Sequence, residues 1–100
     1  MPSTAELCDA AARGDLEVLK RVASTDAGVR ALEGGDYDRR TPMQLAASEG
    51  RLEAVALMLR RGVAHSPLDR WGHTPHDDAV RHGHKYVADM LRGAGGPRVS

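Results

Sequence analysis

The 100-residue sequence has no phenylalanine, one tryptophan, two tyrosines and one cysteine. A core without large aromatic rings suits thin layers of closely packed helices. The single cysteine, Cys8, excludes an internal disulfide and is typical of a reducing compartment. No run approaches the roughly 18 apolar residues of a membrane span, and the basic-then-apolar layout of a signal peptide is missing. We therefore expect a cytoplasmic protein that does not enter a membrane.

An excess of charge of either sign is also missing. Lysine plus arginine and aspartate plus glutamate number 14 each, which gives a formal net charge of +0. Nucleic-acid binding depends on clustered positive charge, so we expect no nucleic-acid partner. One hundred residues are enough for one domain with a modest core.

The sequence does contain one segment written twice. Residues 36–50 return 33 positions later as residues 69–83, with the Thr-Pro dipeptide at Thr41 aligned with the one at Thr74. A more distant first copy aligns through Gly14. A fixed period of this length is the signature of a repeat architecture, in which each unit buries its apolar face against the next.

Each copy carries signals for two helices. Ser3 with Glu6, and Thr41 with Gln44, are spaced as capping boxes, which satisfy amide donors at a helix start. Glycines follow the apolar stripes, where helices usually end. The range 25–35 is predicted as a longer connection because it contains three glycines. The predicted helices span residues 3–12, 16–24, 42–48, 52–61, 75–83 and 85–92.

The hallmark of the ankyrin repeat is Thr-Pro-Leu-His-x-Ala. Residues 41–46 (Thr-Pro-Met-Gln-Leu-Ala) and 74–79 (Thr-Pro-His-Asp-Asp-Ala) resemble it. In that family the histidine bonds neighbouring turns, and Gln44 and Asp77 in its place are expected to make related hydrogen bonds. The resemblance implies an all-α ankyrin-repeat helical solenoid of three helix-turn-helix units with projecting hairpin loops. The implied domain covers residues 3–93, in units of about 3–35, 36–68 and 69–93, followed by a flexible tail at 94–100.

A narrower resemblance involves the same two copies. Residues 36–50 and 69–84 look like the ankyrin tail of glutaminases, and similar wording occurs in ankyrin segments of some plant potassium channels and kinases. The catalytic domain of a glutaminase, with its serine nucleophile and lysine, is absent, so that activity is not implied. The resemblance implies a module that contacts a partner protein or helps a larger assembly to form.

Aromatic residues and arginines mark the expected hairpin tips. The ankyrin register places Tyr37 near one tip and Trp71 near the next, with arginines beside both. Such residues are enriched at binding hot spots. Two interpretations stay open, because the Trp71 ring could contact a partner or pack over the neighbouring hairpin. The predicted protein-binding residues are Tyr37, Arg39, Arg40, Gln44, Arg70, Trp71, His73 and Asp77.

Catalytic and metal sites are weaker hypotheses. His73 and His76 are three residues apart beside Asp77, but they belong to different predicted elements and no cysteine accompanies them. Adjacent carboxylates at Asp77 and Asp78 diverge by about 100° on a helix and do not converge on one atom. Cys8 has no histidine near it in sequence, so we expect a partly buried thiol. We predict no enzyme activity, no cofactor and no metal.

Two further expectations concern single positions. Arg39 aligns with Gly72, where ankyrin repeats favour glycine, so we expect a positive φ and a small strain at Arg39. A second functional hypothesis is an assembly or regulatory appendage of an enzyme such as a glutaminase, acting by oligomerisation. Self-association through the end units would require exposed apolar residues there. The candidates for that surface are Leu7, Leu16, Val18 and Met90.

Overall fold

The structure, a computed structural model, describes residues 2–94. Within that range the chain forms seven helices and no strand, which confirms the predicted all-α class. In chain order the helices are α1 (Thr4–Arg13), α2 (Leu16–Val22), α3 (Asp26–Ala31), α4 (Pro42–Ser48), α5 (Leu52–Arg60), α6 (Pro75–Arg81) and α7 (Lys85–Ala94).

Three antiparallel helix pairs stack side by side. The first helices form one layer, in which α1 packs on α4 and α4 on α6. The second helices form the other layer, in which α2 packs on α5 and α5 on α7. We call the contact between the α1–α2 and α4–α5 pairs the first joint. The contact between the α4–α5 and α6–α7 pairs is the second joint.

Small side chains let the helices approach closely. Ala11 and Ala47 are fully buried in the layer of first helices. Leu19, Val55 and Met58 are fully buried on the second helices and belong to the same apolar cluster. Each large side chain of this kind contributes about 1.5–3 kcal/mol on burial. The expected thin core without large aromatic rings is therefore what holds the stack together.

Helix starts follow the predicted capping chemistry. Ser3 with Glu6 and Thr41 with Gln44 form complete capping boxes. Thr74 forms a third with Asp77, whose shorter carboxylate still reaches the Thr74 amide at 2.9 Å. These side chains satisfy amide donors that a helix leaves without partners at its first turn.

The prediction of an irregular connection over residues 25–35 is wrong for its first half, which forms α3. The Thr25 hydroxyl accepts the Gly28 amide at 3.0 Å and caps the helix. A Cβ atom on Gly28 would lie 1.6 Å from the Val22 carbonyl oxygen. Glycine at position 28 therefore allows α3 to begin directly against the end of α2, and it does not break the helix.

The two ends of the stack differ from expectation. The predicted exposure of Leu7 is wrong, since this side chain is buried in the core. Helix α7 continues through Gly93 and Ala94, so the predicted tail begins no earlier than residue 95. Residues 95–100 lie outside the described part. The other apolar residues predicted to be exposed at the end units are partly buried and pack against the core, namely Leu16, Val18 and Met90.

Every helix within residues 2–94 is too short to span a lipid bilayer.

Candidate functional site

Two short loops of equivalent structure lead into α4 and α6. In the first loop, residues 36–40, the Asp36 amide donates to the Arg40 carbonyl at 3.0 Å. The Asp36 carboxylate accepts the amides of Asp38 at 2.8 Å and Arg40 at 2.9 Å. One aspartate therefore organises the whole loop, as short polar side chains do in turns.

The second loop, residues 69–73, repeats these bonds. The Asp69 amide donates to the His73 carbonyl at 3.1 Å, and the Asp69 carboxylate accepts the amides of Trp71 and His73, both at 2.9 Å. The Arg70 amide also donates to the Asp38 carbonyl of the first loop at 2.9 Å. The two loops are thus bonded to each other, although the described residues form turns here and no strands.

The aligned positions near the loop ends have the expected backbone. Arg39 has φ 59° and Gly72 has φ 78°. The prediction of positive φ at Arg39 is confirmed. Glycine adopts this region without cost, whereas a side chain there costs about 1–2 kcal/mol. The first loop therefore keeps a strained residue that the second loop avoids.

Both aromatic residues reach solvent from the loops. Tyr37 is 94% exposed and Trp71 is 58% exposed. The guanidinium carbon of Arg70 lies 5.4 Å from the centre of the Trp71 ring, a cation–π distance. Trp71 therefore packs partly on its own loop and keeps more than half of its surface available.

A charge network joins the second loop to α6. Arg40 donates to the Asp69 carboxylate at 2.8 Å and to the Asp78 carboxylate at 3.2 Å. Arg81 donates to the other oxygen of Asp78 at 3.0 Å. Both carboxylates are fully buried, and the Arg40 side chain is only 17% exposed. Arg40, predicted as a surface contact, is therefore mainly a structural link across the second joint.

The surroundings of Asp69 favour its charged form. Burial alone would raise its pKa, but the His73 and Trp71 amides and the Arg40 charge outweigh burial and lower the pKa below 3.8. The pKa of Asp77 is also lowered, first by its hydrogen bond from the Thr74 amide. Both carboxylates are therefore ionised at neutral pH and stabilise the fold in that form.

Asp69, His73 and Asp78 come close enough to be considered as metal ligands, with one atom from each lying within 4.8 Å of the others. Arg40 already donates to both carboxylates. Arg81 donates to His73 Nδ1 at 3.1 Å, which occupies one of the two nitrogens of the imidazole. A cation bound here would have to displace two guanidinium groups, so the geometry is that of a salt-bridge cluster.

Gln44 is fully buried, which removes it from the predicted binding surface. Its amide nitrogen donates to the carbonyls of Pro67 at 3.0 Å and His73 at 2.9 Å. The expected hydrogen bonds to neighbouring turns are therefore confirmed for Gln44. Asp77 holds the equivalent position in the last unit, where its described bonds stay within its own cap on Thr74.

Cys8 occupies the position equivalent to Gln44 in the first unit. Its thiol is buried and donates to the Arg40 carbonyl at 3.5 Å. Burial, assisted by the charge of Asp36 and opposed by that of Arg40, raises its pKa to about 11. The thiol is thus protonated at neutral pH, whereas a nucleophilic cysteine acts as the thiolate.

Both loops and α6 line an open surface cleft of about 510 Å³. Its lining combines one aromatic ring with two guanidinium groups and an imidazole, from Arg40, Trp71, His73 and Arg81. Asp69, Asp78 and Arg81 were not singled out as binding or bridging residues from the sequence. For Asp69, its alignment with Asp36 in the repeated segment indicated a role in the loop. That alignment did not indicate the contact between Asp69 and Arg40.

Stacked helix pairs with loops projecting from the first helices define a helical repeat protein of the solenoid type. The family model described as ankyrin repeats, in three copies, matches residues 7–99. The chain belongs to the ankyrin repeat family. The predicted family and fold are thereby confirmed.

Similar segments occur in larger proteins. The chain is 35% identical over 94 residues to the potassium channel SKOR of Arabidopsis thaliana, covering 94% of this chain and 11% of the channel. It is 37% identical over 84 residues to the mitochondrial liver isoform of glutaminase from Mus musculus, covering 83% and 14%. It is 34% identical over 89 residues to an L-asparaginase of Dirofilaria immitis, covering 89% and 15%. The chain therefore matches only a small part of each relative.

Proposed function

We propose that this ankyrin repeat domain binds a protein partner through its two loops and the adjoining face of the first helices. The observation that carries the proposal is the exposure of Tyr37 and Trp71 on neighbouring loops that are bonded to each other. Aromatic residues with nearby arginines are typical of binding hot spots. The mechanism is surface complementarity, in which no bond is made or broken and no cofactor takes part.

The loops present these side chains from a fixed base. Asp36 and Asp69 each hold two amides of their loop, and the Arg70 amide bonds one loop to the other. A preorganised surface loses less conformational entropy when it binds. The residues that form the proposed binding surface are Tyr37, Arg39, Arg70, Trp71, His73 and Asp77. Arg40 and Gln44 stabilise this surface through hydrogen bonds to the second loop.

Affinity capture from the source cells tests this function. The bait proteins are the wild type, the double variant Tyr37→Ala/Trp71→Ala and the control Tyr86→Ala. Tyr86 is an exposed aromatic residue on α7, away from the loops. We expect mass spectrometry to find a partner with the wild type and the control that the still-helical double variant loses. Equal capture by all three proteins would contradict the proposed surface.

A second candidate function is an assembly or regulatory appendage of a larger enzyme. Its support is that the matched segments of the glutaminase and the L-asparaginase make up only 14% and 15% of those proteins. In this function the domain would bind an enzyme subunit or a second copy of itself. Capture of an amidohydrolase would favour it, and light scattering that shows only monomer at high concentration would rule against self-association.

We further propose the cytoplasm as the compartment, with neither a membrane nor a nucleic acid as partner. The support is one buried cysteine in the protonated form and a formal net charge of +0. Fractionation of the source cells tests the location. Recovery of the chain with membranes or with nucleic acid would contradict it.

A further inference from the structure

The cleft lined by Arg40, Trp71, His73 and Arg81, here called the Trp71 cleft, has buried acidic groups and basic groups that reach solvent. The carboxylates of Asp69 and Asp78 are completely buried beneath the surface. The bases above them reach solvent, with Arg81 49% and His73 38% exposed. A molecule that enters the cleft therefore meets N–H donors and no carboxylate of this network.

The described hydrogen bonds use only some of the N–H donors in the cleft. A guanidinium group carries five N–H donors, and the described bonds of Arg81 use one toward Asp78 and one toward His73. Because a guanidinium only donates, His73 Nδ1 accepts in this contact, and the imidazole carries its proton on Nε2. That Nε2–H group is a further donor on a residue that lines the cleft.

A ligand with a single negative charge leaves less uncompensated charge in the network than a doubly charged ligand does. Two guanidinium groups face two carboxylates, so the network is neutral before a ligand arrives. A phosphate dianion would add two negative charges that nothing here offsets. A carboxylate adds one charge, and its two oxygens match the planar donor pair of an arginine.

Trp71 lines the same cleft and offers an apolar surface next to these donors. The whole chain carries no excess positive charge, which disfavours a polyanion as the occupant. We propose that the cleft receives a glutamate or aspartate of the partner protein, flanked by an apolar side chain that lies on Trp71. This inference rests on the proposed protein-binding function and names the chemistry of the segment that would be bound.

Short peptides test the inference without knowledge of the partner. The probes are acetylated, amidated peptides of sequence Gly-Leu-Glu-Leu-Gly, the same peptide with glutamine for glutamate, and the same with phosphoserine. Each is titrated into the isotope-labelled 100-residue chain and followed by NMR. We expect shifts centred on the Trp71 indole and the Arg81 side chain, with the glutamate peptide bound about fivefold more tightly than the glutamine peptide.

Several outcomes would overturn the inference. Equal affinity for the glutamate and glutamine peptides would show that the cleft does not recognise a carboxylate. Tighter binding of the phosphoserine peptide would show that the cleft prefers a phosphate. Chemical shift changes centred away from the cleft, or no change with about 10 mM peptide, would show that the cleft is not a binding site for these peptides.

A matched pair of variants assigns the charge preference to the cleft. Arg81→Gln should bring the preference for the glutamate peptide close to one, while Asp78 keeps Arg40 as its partner. Arg92→Gln removes the same charge from α7, where Arg92 pairs with Asp89, and should keep the preference. Loss of the preference in both variants, or in neither, would contradict the assignment. The comparison of peptides on the wild type stands even if one variant unfolds.

The affinity capture described above separates this inference from the general function. Suppose that the double variant loses a captured partner but that neither the glutamate nor the glutamine peptide binds. The protein-binding function then stands, and the proposal that the cleft binds an acidic segment is wrong. If the peptides behave as expected and no partner is captured, the cleft chemistry stands while the proposed cellular function fails.

Discussion

The first and second joints have the same backbone arrangement but different side-chain chemistry. At the first joint, Cys8 donates through a weak thiol to the Arg40 carbonyl. At the equivalent place in the second joint, Gln44 donates to the His73 carbonyl and also to Pro67. One structural position therefore holds a weak bond in one joint and two strong bonds in the other.

Another bond is shared by both joints. Arg51 Nε donates to the Ala12 carbonyl at 2.8 Å across the first joint. His84 Nε2 lies 3.0 Å from the Ser48 carbonyl across the second, at the aligned position. Both side chains follow the glycine that ends a first helix and reach back to the previous unit. The repeat thus keeps this contact with two different residue types.

The charge network marks the difference between the joints. Among the described residues, the buried pairs of Arg40 with Asp69 and Asp78 lie at the second joint, and the first joint has no counterpart. Apolar packing and the hydrogen bonds from Cys8 and Arg51 join the helix pairs at the first joint. The added network at the second joint links the loop that carries Trp71 to Arg40 and α6.

The largest effect should come from breaking the network. We expect Arg40→Ala to lower the free energy of unfolding by about 3 kcal/mol, because it leaves two buried carboxylates with too little compensation. Arg51→Ala, which removes an exposed bond at the first joint, should cost about 1 kcal/mol or less. Urea denaturation of both variants measures the difference. Equal losses would show that the two joints are stabilised alike.

The next effect compares the two equivalent positions. Gln44→Ala should cost about 2 kcal/mol, because the buried Thr41 amide and the partly buried carbonyls of Pro67 and His73 lose their partner. Cys8→Ala should cost about 1 kcal/mol or less, since it removes a small side chain and a weak donor. Thermal unfolding followed by circular dichroism checks this order. A larger loss for Cys8→Ala would reverse the comparison.

A smaller effect should appear in acid. The folded pKa of Asp69 lies below its ordinary value of 3.8, so its stabilisation is present above that pH. It is lost as pH falls through the folded pKa, because the unfolded chain binds the proton more readily. Melting temperatures of the wild type and Asp69→Asn should therefore converge as the pH falls below 3.8. A gap that stays constant down to acid pH would contradict the role of the charged form.

The smallest effect concerns backbone strain in the two loops. Arg39→Gly should be neutral or stabilise the protein by about 0.5 kcal/mol, because glycine adopts positive φ without strain. Gly72→Ala should destabilise it by about 1 kcal/mol, although a Cβ there meets no atom within 4 Å. Differential scanning calorimetry measures both changes. A melting temperature lowered by several degrees in Arg39→Gly would contradict the strain.

Local chemistry was predictable and chemistry between units was not. The caps at Ser3 and Thr41 and the backbone of Arg39 follow from spacing and alignment within a few residues. The sequence does not predict helix α3, because a glycine such as Gly28 usually breaks a helix. The reason for glycine at this position is the close Val22 carbonyl, which only the structure shows.

The same limit applies to the site. Gln44 aligns with a family position, so its hydrogen bonds were expected, but its complete burial depends on the neighbouring unit. Arg40 meets carboxylates 29 and 38 residues away, and no short spacing predicts such contacts. The exposed aromatic residues were identifiable because repeats place loop tips at fixed positions.

The charge network should hold the second loop, and with it Trp71, in one position. Hydrogen exchange measured by NMR tests this claim directly. The Trp71 and His73 amides, bonded to buried Asp69, should exchange more slowly than the Asp38 amide, bonded to partly exposed Asp36. Core amides such as that of Val55 provide the reference for global stability.

Arg40→Ala should remove the extra protection of the second loop relative to the core, whereas Arg51→Ala should leave it in place. If the amides of both loops exchange equally fast in the wild type, or if Arg40→Ala leaves the protection of Trp71 and His73 unchanged, the network does not hold the loop and the account is contradicted.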